Sequence, residues 1–200
     1  LWVSDFDQNG TIKKIMTRSI GGKDMPIPMK KELTGQIPSL KKKNLKHVDY
    51  AQKSIQDLFS ADALKAALML EGNYFSSVVA LNNGNGQFSM MPLPAPVQFS
   101  SVSAIRCADL NGDGKNDLIL AGNNSGFMPQ YSKLDASFGH VLLNMGGGKY
   151  QRIDNRVAGF FVRGDVKSLA TLTIKGKKHL LATVNGQAPK LFMLKNAGIV

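Results

Sequence analysis

Apolar positions in this chain cluster into short runs, and most runs stop at Gly, Asn or Asp. Residues 76–80, 102–108, 118–121, 139–142 and 180–184 are rich in Val, Leu, Ile and Ala between turn formers, which predicts β-strands. One region breaks the pattern. Between about Gly21 and Asn73, Val48, Ala51, Ile55, Leu58 and Phe59 recur at helical spacing and predict one apolar helix face. Asp62 is placed to cap a second short helix containing Ala63, Leu64, Ala67 and Leu68. Pro26, Pro28 and Pro38 mark an extended lead-in, because the residue before a proline is driven out of helical geometry. The expected fold class is all-β with a small helical insertion at about residues 38–72.

The strands repeat. Leu81-Asn82-Asn83-Gly84-Asn85-Gly86-Gln87-Phe88 is matched by Leu143-Asn144-Met145-Gly146-Gly147-Gly148-Lys149-Tyr150 at an offset of 62 residues. Each copy is an apolar strand, a turn of residues that tolerate positive φ, and an aromatic that begins the return strand. That combination predicts a hairpin.

A second motif carries the chemistry. Asp109-Leu110-Asn111-Gly112-Asp113-Gly114-Lys115-Asn116-Asp117 places oxygen-bearing side chains at loop positions 1, 3, 5 and 9, with Gly at position 6. Asp109, Asn111, Asp113 and Asp117 would supply side-chain oxygens to a hard cation, Lys115 its backbone carbonyl, and Gly114 the sharp turn. Ca²⁺ suits such a loop, because it accepts six to eight oxygens in flexible geometry while Mg²⁺ requires a strict octahedron. The loop is not an EF-hand. Leu120 stands at position 12, where a Glu is needed, and the flanks read as strands. A plain Asn/Asp/Gly hairpin without metal is the competing reading of the same string.

Two further copies differ. Asp5-Phe6-Asp7-Gln8-Asn9-Gly10-Thr11-Ile12-Lys13 offers Asp5, Asp7, Asn9 and the Thr11 carbonyl, but Lys13 stands at position 9. The expectation is a weaker site, with the Lys13 ammonium repelling the cation or swinging into solvent. At the 62-residue offset, Asp109 maps to Thr171, Asn111 to Thr173, Asp113 to Lys175, Gly114 to Gly176 and Asp117 to His179. A hairpin without a cation is expected there. From Asp5 to Asp109 is 104 residues rather than 62, and the surplus falls in the helical region.

Loops of the form Asp-x-Asp/Asn-x-Asp/Asn-Gly between strands, repeated beside Asn-Asn-Gly-x-Gly-x-Phe hairpins, resemble FG-GAP/VCBS repeats. These are the blades of integrin-α-like β-propellers. The similarity is greatest to Bacteroidetes-type VCBS-repeat proteins, often found beside the ASPIC/UnbV module. Gln36-Ile37-Pro38-Ser39-Leu40-Lys41-Lys42-Lys43, Asp49-Tyr50-Ala51, Leu93-Pro94-Ala95-Pro96-Val97-Gln98 and Ala121-Gly122-Asn123 carry that part of the resemblance. It implies four-stranded antiparallel blades, structural Ca²⁺ between two strands of a blade, and a place at the cell surface. A propeller closes with four to eight blades. The expectation is therefore a partial propeller of about three blades, near residues 1–95, 96–156 and 157–200, belonging to a longer chain that supplies the rest.

Composition sharpens the choice of partners. The formal charge is +11 with 25 basic against 14 acidic residues. Within residues 30–53, Lys30, Lys31, Lys41, Lys42, Lys43, Lys46 and Lys53 stand against only Glu32 and Asp49. Lys41, Lys42, Lys43 and Lys46 would attract an acidic polysaccharide, lipopolysaccharide phosphate or a membrane surface, or simply form a solvated face. No nucleic-acid motif accompanies them. No signal peptide and no membrane-spanning apolar run are present. Cys107 is the single cysteine and is expected to be a small buried hydrophobe, and the Met residues are expected to fill core gaps. Low-affinity Ca²⁺ loops fill where the cation is millimolar, which favours an extracellular, cell-surface or periplasmic setting. Arg163-Gly164-Asp165 spells an adhesive tripeptide but reads as the start of a strand, and His140 reads as a packed core residue. No nucleophile-elbow, zincin or P-loop spacing is present. The function expected is a non-catalytic binding or adhesion scaffold for a glycan or an extracellular protein. The alternatives are the non-catalytic part of a secreted carbohydrate- or lipid-active enzyme, and a plain spacer.

Overall fold

The computed structural model describes residues 1–128, 131–195 and 198–199. It is mostly β with a few short helices. The chain forms two compact units. One holds Leu1–Tyr74 with Met128 and Tyr131, and the other holds Phe75–Phe127 and the described residues from Ser132 onward.

In the first unit, β1 (Trp2–Ser4) pairs antiparallel with β2 (Lys13–Ile15). A hairpin of β3 (Thr17–Ile20) and β4 (Lys23–Pro26) follows. Five short helices come next: α1 (Lys30–Gln36), α2 (Ser39–Lys43), α3 (His47–Ala51), α4 (Ile55–Leu58) and α5 (Ala61–Lys65). Then β5 (Leu68–Met69) adds to the far edge of β1. The core is Phe6, Ile15, Leu33, Ile37, Leu40, Tyr50, Ile55 and Leu58.

The helical segment therefore begins earlier and ends sooner than residues 38–72. It is also not one apolar face. Residues 52–54 break the helix between α3 and α4. Tyr50 turns inward and donates its hydroxyl to the Pro28 carbonyl at 2.7 Å, while Val48 is 67 % exposed and Ala51 is exposed. Ser60, not Asp62, caps α5: its hydroxyl accepts the Ala63 N–H at 3.3 Å. Ala67 and Leu68 lie beyond that helix.

The second unit opens with the hairpin of β6 (Val78–Gly84) and β7 (Gln87–Pro92). Its turn residues Asn85 and Gly86 sit at φ +51° and +72°, which matches the strand twist as a primed turn must. A 3-10 turn (Ala95–Phe99) leads to β8 (Val102–Ala108), β9 (Asp117–Gly122), β10 (His140–Asn144) and β11 (Tyr150–Ile153). After α6 (Asn155–Ala158) come β12 (Val166–Ile174), β13 (Lys177–Val184), β14 (Lys190–Lys195) and β15 (Gly198–Ile199). β8 to β11 form one four-stranded antiparallel meander and β12 to β15 form another.

The two meanders share detail below the level of topology. Each has a bulge near the start of its first strand, between Val102 and Ala104 and between Val166 and Ser168. Each closes that end with the same backbone bond, Asn123 N–H to Ser101 C=O at 3.0 Å and Asn185 N–H to Asp165 C=O at 2.9 Å. The repeat offset is thus not a constant 62. Ala104 corresponds to Ser168 and Gly122 to Val184, so the connection between the first two strands has shortened. In the second meander it is a tight turn at Lys175-Gly176, and residues 171–174 and 177–179 lie in strands.

Ile119, Ala121 and Val141 pack on one face of the first meander with Phe160, Val162, Leu180 and Ala182. Leu120 and Leu142 pack on the other with Leu93 and Val97. A sheet covered on both faces accounts for the near-continuous apolar run in β9. β8 is an edge strand of that sheet, so Ile105 and Cys107, two apart on one face, are exposed. Cys107 is therefore not a core residue. Nor is any methionine in the buried core among the described residues, and Met145 sits in the β10–β11 turn, 59 % exposed.

Candidate metal centre

Two loops share one frame. Ala108 pairs with Asp117 across the loop 109–116, and Ser4 pairs with Lys13 across the loop 5–12 of the same length. In both, the first carboxylate threads the loop. Asp109 accepts the Gly112 N–H at 2.7 Å and the Gly114 N–H at 2.9 Å. Asp5 accepts the Asn9 N–H at 3.1 Å and the Gly10 N–H at 2.7 Å. Gly10 and Gly114 hold the same loop position at φ +82° and +81°, where a side chain would be strained. The fifth residue accepts from the seventh in both, Asn9 from Thr11 N–H and Asp113 from Lys115 N–H, each at 2.9 Å.

The loops differ in what meets their negative charge. In the first, the Lys13 ammonium turns inward. It donates to Asn9 Oδ1 at 3.0 Å and to the Thr11 carbonyl at 3.0 Å, and pairs with Asp7 Oδ1 at 3.4 Å. These are three of the groups expected to ligate a cation there. The ammonium does not swing into solvent; it takes the position a metal would hold. Desolvation pushes the Asp5 carboxyl up, but the N–H groups of Gly10 and Asn9 and the nearby ammonium outweigh it and hold it below the usual range.

Lys13→Ala should therefore destabilise the protein by about 1–2 kcal/mol, the size of a lost charge-assisted hydrogen-bond set that is mostly screened from water. Urea unfolding at neutral pH measures it. A change within experimental error would mean that the ammonium contributes nothing to the loop.

In the second loop position 9 is Asp117, which is fully buried. Its Oδ2 accepts the Leu110 N–H at 2.9 Å and its Oδ1 the Asn144 N–H at 2.8 Å, so it ties the loop to β10. A carboxylate has about four acceptor sites, so these two bonds leave capacity for a cation. Asn111 Oδ1 accepts the Asp113 N–H at 3.1 Å. The N–H and ammonium of Lys115 hold the Asp113 carboxyl below its usual range despite some desolvation. The Lys115–Asp113 ion pair, at 3.2 Å, is well exposed and so contributes little. Three carboxylates with one ammonium leave a deficit of two charges in this loop; two carboxylates with one ammonium leave one in the first. Beside the loop lies a cleft of about 410 Å³ lined by Arg106, Asp109, Thr171 and Lys178.

Sequence reasoning missed the inward Lys13 and the strap made by Asp117. A Lys at the ninth position, one residue type away from the ligand pattern, was the available signal for the first. Nothing local signalled the second, because Asn144 is 27 residues away.

Several buried polar residues of this unit bond to one another. Buried Asn123 accepts from Ser100 Oγ at 2.7 Å and donates to the Ser137 carbonyl at 2.8 Å. Ser137 Oγ lies 3.2 Å from His140 Nε2, and Arg152 donates to His140 Nδ1 at 3.3 Å. Since Nδ1 accepts, Nε2 carries the proton and donates to Ser137. Burial, then the Arg152 charge, pushes the His140 pKa down to about 4. In Arg163-Gly164-Asp165 the Arg163 guanidinium lies 5.5 Å from the ring centres of both Phe138 and Phe161. Asp165 is 8 % exposed and accepts from Ser125 N–H and Oγ at 3.0 and 2.7 Å. Both of these bonds fall on Oδ2 and tie it to Ser125.

Comparison of the chain with protein-family models, with curated proteins and with solved structures found no match.

Proposed function

We propose that residues 109–117 hold one structural Ca²⁺ and that the chain is a binding or adhesion scaffold of propeller-like blades. The observation that carries the cation is Lys13. In a loop of the same length and register, with the same N–H bonds from the sixth residue to the first and from the seventh to the fifth, a positive group of the chain itself sits on the oxygens of the third, fifth and seventh residues. The second loop has the same length and register and one carboxylate more; its one ammonium, Lys115, meets Asp113 alone in an exposed pair, and the remaining two negative charges match a divalent ion. Asp109, Asn111, Asp113, Asp117 and the Lys115 carbonyl would hold it. The first loop, in which the ammonium already sits on Asp7, Asn9 and the Thr11 carbonyl while backbone N–H groups fill the Asp5 carboxylate, is read as closed without metal.

The blade reading rests on two successive four-stranded meanders with the same bulge and the same closing bond. Their shared pattern is that of the FG-GAP/VCBS resemblance. A millimolar-affinity cation site belongs where Ca²⁺ is abundant, so the proposed setting is extracellular, cell-surface or periplasmic, with a glycan or an extracellular protein as ligand.

Thermal melts in Ca²⁺ and in chelator test the cation. A ligand at about 100 times its Kd stabilises by about 2.7 kcal/mol, so a Tm rise of several degrees is expected in the wild type and none in Asp113→Ala. Lys13→Asp, which completes the first loop, should add a second Ca²⁺ site. Equal melts with and without Ca²⁺ in the wild type would overturn the reading.

A further inference from the structure

The loop joining α2 and α3 presents an apolar tip among cations. Asn44 is its anchor: it is 1 % exposed, donates to the Leu40 carbonyl at 2.9 Å and accepts the Lys53 ammonium at 2.8 Å. The Lys30 ammonium donates to the Leu45 carbonyl. With the backbone held on both sides, the Leu45 side chain projects outward, 79 % exposed. Val48, on the next helix, is 67 % exposed. Lys41, Lys42, Lys43, Lys46 and His47 flank them in the chain and are exposed, and Lys41 and His47 line one pocket with Leu45. Among the described residues none of these lysines is ion-paired with a carboxylate. A pocket of about 290 Å³, walled by Leu45 and the stems of Lys30, Lys31 and Lys41, opens beside the tip.

We propose that this tip docks on an anionic lipid surface. A solvated basic face calls for lysines alone; it does not call for a leucine pinned outward by a buried asparagine and a backbone-capping lysine. An anionic bilayer matches both parts. Leu45 and Val48 enter the boundary between headgroups and acyl chains, and the lysine stems lie along it with their ammonium groups on lipid phosphate. The surface is independent of the cation loop, so failure of one reading leaves the other standing.

The test is flotation of the full chain with vesicles of phosphatidylglycerol and phosphatidylcholine against vesicles of phosphatidylcholine alone. Wild type should float with the anionic vesicles only, and less at high salt. Lys41→Gln/Lys42→Gln/Lys43→Gln should abolish flotation, and Leu45→Ser should weaken it roughly tenfold at unchanged charge. Both variants alter exposed side chains, and unchanged thermal melts confirm folding. No flotation of the wild type overturns the proposal. So does binding to a sulfated polysaccharide that Leu45→Ser leaves intact while vesicle binding is absent, because that makes the tip a polyanion site.

Discussion

Asp117→Ala should cost about 3–5 kcal/mol, the largest effect of any polar substitution in the loop. Its two oxygens accept the N–H groups of Leu110 and Asn144 inside the protein. Truncation leaves both donors without their acceptor and opens a void beneath Leu110, itself buried in the main core. Asp117→Asn should be nearly as damaging, since an amide presents one oxygen and turns two hydrogens toward the other donor. Urea unfolding followed by tryptophan-independent far-UV dichroism reads the effect, because Trp2, the single tryptophan, lies in the other unit. A loss below about 1 kcal/mol, the size of an exposed hydrogen bond, would show that the strap does not hold the loop to β10.

Acid should destabilise this unit before its carboxylates titrate. His140 is 4 % exposed and held neutral in the fold, with a pKa of about 4 against 6.5 for the free side chain. The unfolded chain therefore takes up a proton first as pH falls. Stability from this residue is complete above pH 6.5 and declines as pH drops toward 4, by about 3 kcal/mol in all at about 1.36 kcal/mol per pKa unit. Asp113 and Asp165 have depressed folded values, so their contribution persists through that window and is lost only below the ordinary carboxylate range. Unfolding free energies measured from pH 7.5 to 4 should fall in wild type and stay nearly flat in His140→Gln. Parallel slopes would place the acid sensitivity elsewhere.

The strands and turns of the second unit were legible because their signals are local. Asn85-Gly86 and the apolar runs beside it leave one hairpin open to them. The spacing of Asp109 to Asp117 was readable for the same reason. What could not be read depends on distant chain. Whether Val48 or Tyr50 faces inward is decided by the Pro28 carbonyl that receives the Tyr50 hydroxyl. The exposure of Cys107 follows from β8 being an edge, a property of the sheet rather than of the strand. The 62-residue offset aligned one pair of strands and missed the other, because the shortened connection at Lys175-Gly176 gains its strand residues by pairing. Lys13 was recognised as a departure, but its direction was not, since a long side chain chooses between water and three oxygens only once the loop has closed.

Calorimetric titration with Ca²⁺ tests the central claim most directly. The account predicts one site per chain in the wild type, none in Asp113→Ala, and one still in Asp7→Ala, whose carboxylate belongs to the loop that Lys13 already fills. Absence of binding by folded wild type at millimolar Ca²⁺, or retention of the site in Asp113→Ala with loss in Asp7→Ala, would contradict it.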